Sequence, residues 1–195
     1  MQTKRLAIIA LASSLALVLA FAYAHVLTYY PVSVTLKPTS PKVIFAPGGN
    51  ANSPDISNNI VVNVGDNQTS LAITVHPSYE TTWYRNISLI VNSDTKAYSV
   101  SIVVSQSIQG LPAGSEAYLL VYKKGASRSF TDWPVPTPGG YIKRIDLTQS
   151  TTSPISVGSM NGGDVWEIDL FIYIPEGSAL QQSYTAKLYL VASPS

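Results

Sequence analysis

His25 and His76 are the only imidazoles in the chain, and there is no cysteine. Thiolate metal sites, disulfides and a cysteine nucleophile are therefore excluded. His76 stands directly before Pro77 at the end of an apolar alternating stretch, and neither histidine has an acid or hydroxyl partner at a motif spacing. No Gly-x-Ser-x-Gly elbow is present to carry a serine nucleophile. Glu167 and Asp169 lie two apart in DVWEIDLFIYI, so a strand would project both to one face, as the paired carboxylates of a glycosidase require. With Asp164 they could instead supply oxygens to Ca²⁺, which takes about six to eight, although no Asp-x-Asp-Gly loop accompanies them. Their alternation with apolar residues reads more simply as a solvated strand face. The sequence thus predicts no catalytic residue, no metal and no cofactor. Two sequons, Asn67-Gln68-Thr69 in a turn and Asn86-Ile87-Ser88 in a strand, are candidate N-glycosylation sites in an exported protein.

The elements that would carry these residues are strands. Charged residues make up 12% of the 195, against roughly 25% in an ordinary soluble domain, and a net charge of +1 gives no basic patch for nucleic acid. From residue 26 onward apolar residues recur with period two or in short runs rich in β-branched and aromatic types. The expected strands are 26–37, 42–46, 60–64, 70–76, 84–91, 97–104, 116–123, 141–148, 154–158, 164–174 and 183–192. Turn residues such as Pro47-Gly48-Gly49-Asn50, Gly65-Asp66-Asn67, Asn92-Ser93-Asp94 and Asn161-Gly162-Gly163 separate them. An all-β, two-sheet β-sandwich follows. Alternation buries Trp166, Ile168, Leu170, Ile172 and Ile174 on one face of 164–174 and leaves Glu167, Asp169, Phe171 and Tyr173 on the other. Residues 125–140, with Trp133 exposed, read as a loop at a sandwich rim.

The chain opens on an address. Lys4 and Arg5 precede an uncharged run from Leu6 to Ala24, and Ala22-Tyr23-Ala24 supplies a small-x-small cleavage site. Residues 1–24 are expected to be a signal peptide, which leaves His25 first and takes the membrane out of the mature protein after export. An uncleaved anchor is the competing reading, since the run is just long enough to span a bilayer. Type IV pilin processing ranks last, because Arg5 rather than a small residue stands against Leu6.

Residues 25–37 form the informative segment. Val26, Thr28, Tyr30, Val32, Val34 and Leu36 share one nearly apolar face, and the eleven residues 26–36 would reach roughly 36 Å as a strand. Such a strand is either an edge of its own domain or an extended peptide that completes another molecule's sheet.

The stretches TYYPVSVTLKPTSPKVIFAPGGNANSPD (28–55) and TVHPSYETTWYRNISLIVNSDTKAYSVSI (74–102) resemble the bundling pilins. These are exported filament subunits of archaea, similar in fold to the TasA and camelysin biofilm-fibre proteins of bacteria. The likeness is carried by the export peptide, the Tyr29-Tyr30-Pro31 first strand and the Asn92-Ser93-Asp94 turn. It implies a jelly-roll-like sandwich at 38–195 whose donor strand, 25–37, inserts into the next subunit, with Val26, Tyr30, Val32, Val34 and Leu36 as the inserted face. It further implies a non-enzymatic, extracellular, head-to-tail homopolymer that packs into bundles for adhesion and biofilm cohesion. No catalytic residue or metal ligand of the camelysins is matched. The alternative is a monomeric cell-surface binding module, glycan-binding through the Trp133 loop and exposed tyrosines.

Overall fold

The computed structural model describes residues 11–14, 39–56, 58–131 and 137–195. The chain divides into two compact units, Met1–Pro38 and Thr39–Ser195. The signal peptide and the donor strand expected from the sequence both fall in the first, where only residues 11–14, in helical conformation, are described. The donor strand therefore lies outside the described residues, as do the rest of the signal peptide and Trp133.

In the second unit the alternating stretches form strands β1 (Val43–Pro47), β2 (Val61–Val64), β3 (Ser70–Val75), β4 (Glu80–Asn92), β5 (Tyr98–Gln106) and β6 (Glu116–Lys123). They continue as β7 (Ser129–Thr131), β8 (Thr137–Gly139), β9 (Lys143–Asp146), β10 (Ile155–Met160), β11 (Val165–Ile174) and β12 (Tyr184–Pro194). Sheet I has the order β1-β4-β11-β6-β9 and sheet II the order β10-β5-β12-β3-β2, with β7 and β8 as a separate hairpin. Every ladder is antiparallel. The protein is an all-β sandwich of two five-stranded sheets.

The core lies between the inner faces, and period two selects its members. Trp166, Ile168, Leu170, Ile172 and Ile174 of β11 are buried opposite Val100, Ile102 and Val104 of β5 and Tyr184, Ala186, Leu188 and Leu190 of β12. Both flanks of the sandwich are bridged by backbone bonds. The Phe45 amide donates to the Gln68 carbonyl (2.7 Å) at one, and the Ile108 and Thr151 amides donate to Leu147 and Val104 carbonyls (2.8 and 2.9 Å) at the other.

The Asn92-Ser93-Asp94 turn is tied to the β10–β11 turn by one buried amide. Asn92 Nδ2 donates to the carbonyls of Lys96 and Asn161, each at 2.8 Å, while its Oδ1 accepts the Asp94 amide at 3.0 Å. An Asx turn of this kind is what Asn offers at the end of a strand. Gly162 permits the contact, since a Cβ there would collide with the Thr95 backbone.

The outer face of β11 departs from the sequence expectation of a solvated surface. Asp169 and Phe171 are fully buried, and Leu120, Tyr122 and Phe171 form a second, smaller core with Trp83, Tyr118, Ala126, Tyr141 and Tyr173 packed on it. The cause is the segment read as a rim loop. It contains the β7–β8 hairpin, and its base folds over this face with Ala126 and Tyr141 against it.

Candidate assembly site

The acidic pair Glu167 and Asp169 is held by one cation. Arg128, at the base of the hairpin arm, places Nε 3.0 Å from Asp169 Oδ2 and Nη2 3.0 Å from Asp169 Oδ1 and 2.6 Å from Glu167 Oε2. Its remaining Nη1 donates to the Ala126 carbonyl, and the guanidinium lies 4.6 Å from the centre of the Tyr122 ring. Asp169 also accepts the Asn86 amide at 2.7 Å. That amide is free because β4 carries an irregularity here: Ile168 pairs with Ser88 but Leu170 with Tyr84, and Asn86 adopts φ 47°. The carboxylate thus fills a hole in the ladder on one side and holds the arm on the other. The hydrogen bonding it donates to Asp169 is the largest influence on the guanidinium and holds its pKa above the ordinary value. Burial, then the Asp169 charge, pushes the Tyr122 phenol up to about 12. Neither carboxylate is open to a sugar. Asp164 is apart from them and accepts the Asn161 amide at 2.9 Å, so the three acids do not converge. Among the described residues no group of three His, Asp or Glu side chains is placed to hold a metal.

His76 has a partner that sequence spacing concealed. The loop between β1 and β2 folds back so that Asp55 Oδ2 meets His76 Nδ1 at 3.1 Å and the His76 amide at 2.6 Å, while the Tyr84 hydroxyl donates to Asp55 Oδ1 at 3.1 Å. The Asp55 side chain is 2% exposed and that of His76 11%. Desolvation first, then the Asp55 charge, raises the Tyr84 phenol. An aspartate that orients an imidazole is part of a nucleophilic relay, but among the described residues no hydroxyl is hydrogen-bonded to the ring's other nitrogen. The cluster anchors the loop to the start of β4.

The two sequons sit in different surroundings. Asn67 is exposed in the β2–β3 turn. Asn86 is half-buried at the bulge with its Oδ1 enclosed and without a hydrogen-bond partner, and Ile87 and Ser88 after it are fully buried. Of the two sequon asparagines, Asn67 is the exposed one.

One sheet edge is incomplete. β12 pairs with β3 only from Tyr184 to Tyr189, where β3 begins at Ser70, and the Leu190 amide donates to the Thr69 carbonyl at 2.7 Å. On its other side β12 stays paired with β5 as far as Pro194. Residues 191–194 therefore have a ladder partner on one side alone among the described residues. Alternation turns Ala192 inward beside Val100, its partner on β5, yet Ala192 is exposed while Val100 is buried. Ala192 is thus uncovered on its inward side among the described residues. On the outer face of the same strand Tyr189 and Val191 stand 52% and 43% exposed. A bare strand edge beside exposed apolar side chains is a template for another strand. The expected donor residues Val26, Tyr30, Val32, Val34 and Leu36 lie outside the described residues. Comparison with known protein families and with curated proteins finds no match to this chain.

Proposed function

We propose that this protein is a non-enzymatic structural subunit of an extracellular filament, exported by its N-terminal signal peptide and assembled by donor-strand complementation. The sandwich is jelly-roll-like in this reading, and residues 25–37 of one subunit add a strand to the sheet of the next. The observation that carries the proposal is the edge of β12 at 191–194, which has a ladder partner on one side alone among the described residues and an exposed Ala192 on its inward side, together with an alternating segment of matching chemistry at 26–36. A donated strand satisfies the bare backbone groups and sets its apolar face, Val26, Tyr30, Val32, Val34 and Leu36, towards the core. Burial of Val32, Val34 and Leu36 contributes about 1.5–3 kcal/mol apiece, from which the costs of association are subtracted. A contact that joins unlike surfaces without closing propagates into a fibre, and the partner is another copy of the chain. Filaments of this kind bundle and serve adhesion and biofilm cohesion.

The test is a paired substitution read by filament imaging. Val34→Asp puts a carboxylate where it must be desolvated, at a cost of several kcal/mol, and should abolish filaments. Ser33→Asp, on the opposite face, should leave them. Normal filaments from Val34→Asp defeat the mechanism and favour the monomeric binding module.

A further inference from the structure

The two ends of the sandwich carry opposite charge. In sheet I, β6 runs from Glu116 to Lys123 and the antiparallel β9 from Lys143 to Asp146, so like charges finish at the same end. Lys42, just before β1, Lys96, in the β4–β5 turn, and Lys124 join Lys123 and Lys143 at one end. Three acids share that end and are outnumbered by the five lysines: Asp94, which accepts the Tyr98 hydroxyl at 2.8 Å, Asp164, which accepts the Asn161 amide, and Asp66, exposed in the β2–β3 turn.

The other end is acidic. Glu80 pairs with Ile174 and Glu116 with Tyr173, so the two glutamates flank the end of β11, about 10 Å apart at two strand spacings. Glu176 follows two residues after β11, Asp146 ends β9, and all four side chains are exposed. Among the described residues no lysine lies at this end. The other described cations are on the sheet faces: Arg85 over Trp83, Arg128 in its carboxylate pair, Arg144 over Tyr118, and Lys187 outward on β12.

A polar cleft of about 420 Å³ opens at the lysine end, lined by Lys123, Lys124, Asn161, Gly163 and Asp164 with Val165 and Trp166 behind them. The chain also enters β1 at this end, through residues 39–42.

From the opposed charge and the cleft we infer that the lysine-bearing end of one subunit docks on the Glu80–Glu116–Glu176 end of a second copy, with the cleft receiving carboxylates. The inference rests on the filament reading. Charge of this kind sets register and encounter rate more than final affinity, and it weakens with salt because the Debye length falls from about 30 Å at 0.01 M to about 3 Å at 1 M.

Two variants of the full exported chain test this, with far-ultraviolet dichroism to verify the fold. Lys123→Glu/Lys124→Glu reverses the charge at the cleft, and Glu80→Lys/Glu176→Lys reverses it at two of the four opposing acids. Each alone should elongate at least tenfold more slowly than the native protein, since steering of this size is lost. An equimolar mixture should recover the native rate as an alternating copolymer, and sedimentation at low salt should show the two variants associating with each other and not with themselves. Folded variants that polymerise singly at the native rate, or a mixture that neither grows nor associates, overturn the docking. Sedimentation separates this from the strand-exchange reading: with Val34→Asp added to both variants, filaments vanish while salt-sensitive pairing in the mixture persists.

Discussion

Asp169 is a buried carboxylate with two tasks, the Asn86 amide on β4 and the Arg128 fork on the arm. Replacement of Arg128 by Met removes the fork and leaves that carboxylate unpaired in the core, which should cost about 3–5 kcal/mol in urea unfolding. Arg128→Lys should recover only part of it, because an ammonium cannot make the bidentate contact. Little or no loss in Arg128→Met would mean that the arm is held by other contacts. The phenols respond to alkali in a set direction. Tyr122 is pushed from 10.0 up to about 12 in the folded protein by burial, so the unfolded chain gives up that proton first. Its contribution to stability is whole below pH 10 and is lost as pH climbs through about 12. Tyr122→Phe should therefore hold its urea midpoint better than the native protein between pH 10 and 12, and parallel curves would contradict the assignment. Little at this scale was legible beforehand. The side-chain partners of Asp55 and Asp169 lie 21 and 41 residues away along the chain for His76 and Arg128, and such pairs exist only once loops have folded back.

Strands were far more legible than side-chain pairs, because alternation is a local property that survives into the sheet. The inward set of β11 and of β12 follows directly from period two. The outer face of β11 does not, since Glu167-x-Asp169-x-Phe171 looks the same whether water or a hairpin covers it. The arm that covers it is rich in Pro, Gly and Ser and reads as loop, and the clue was one arginine, Arg128, in an otherwise uncharged run from Gly125 to Thr131. The join between the β4–β5 and β10–β11 turns was half visible as turn chemistry at both places. Its energetic content is in Asn92, whose truncation to Ala leaves the Lys96 and Asn161 carbonyls without their donor and should cost about 1–3 kcal/mol. Gly162→Ala should destabilise by separating the two turns, with Thr95 backbone in the way of the new methyl. A native urea midpoint in either variant would show that the turns are held independently.

On the scale of the whole molecule, a sandwich with its core bounded by Val43 and Leu190 and an apolar strand-like segment before it in sequence can meet its needs in assembly. The sandwich was legible in the alternation of its strands and in the turn residues between them; the exposed Ala192 on β12 and the opposed charge of the two ends were not, because both depend on which strand ends the topology brings together. Salt should therefore slow elongation of the native protein, where a purely apolar junction would be unaffected or strengthened. The central claim is strand donation, and a helical reconstruction of filaments assembled from the exported chain tests it most directly. It should show residues 26–36 as a strand in the sandwich of the neighbouring subunit, with Val32, Val34 and Leu36 facing that neighbour's core beside Ala192. Residues 26–36 paired only within their own subunit, or no filament at any concentration or salt, would contradict it.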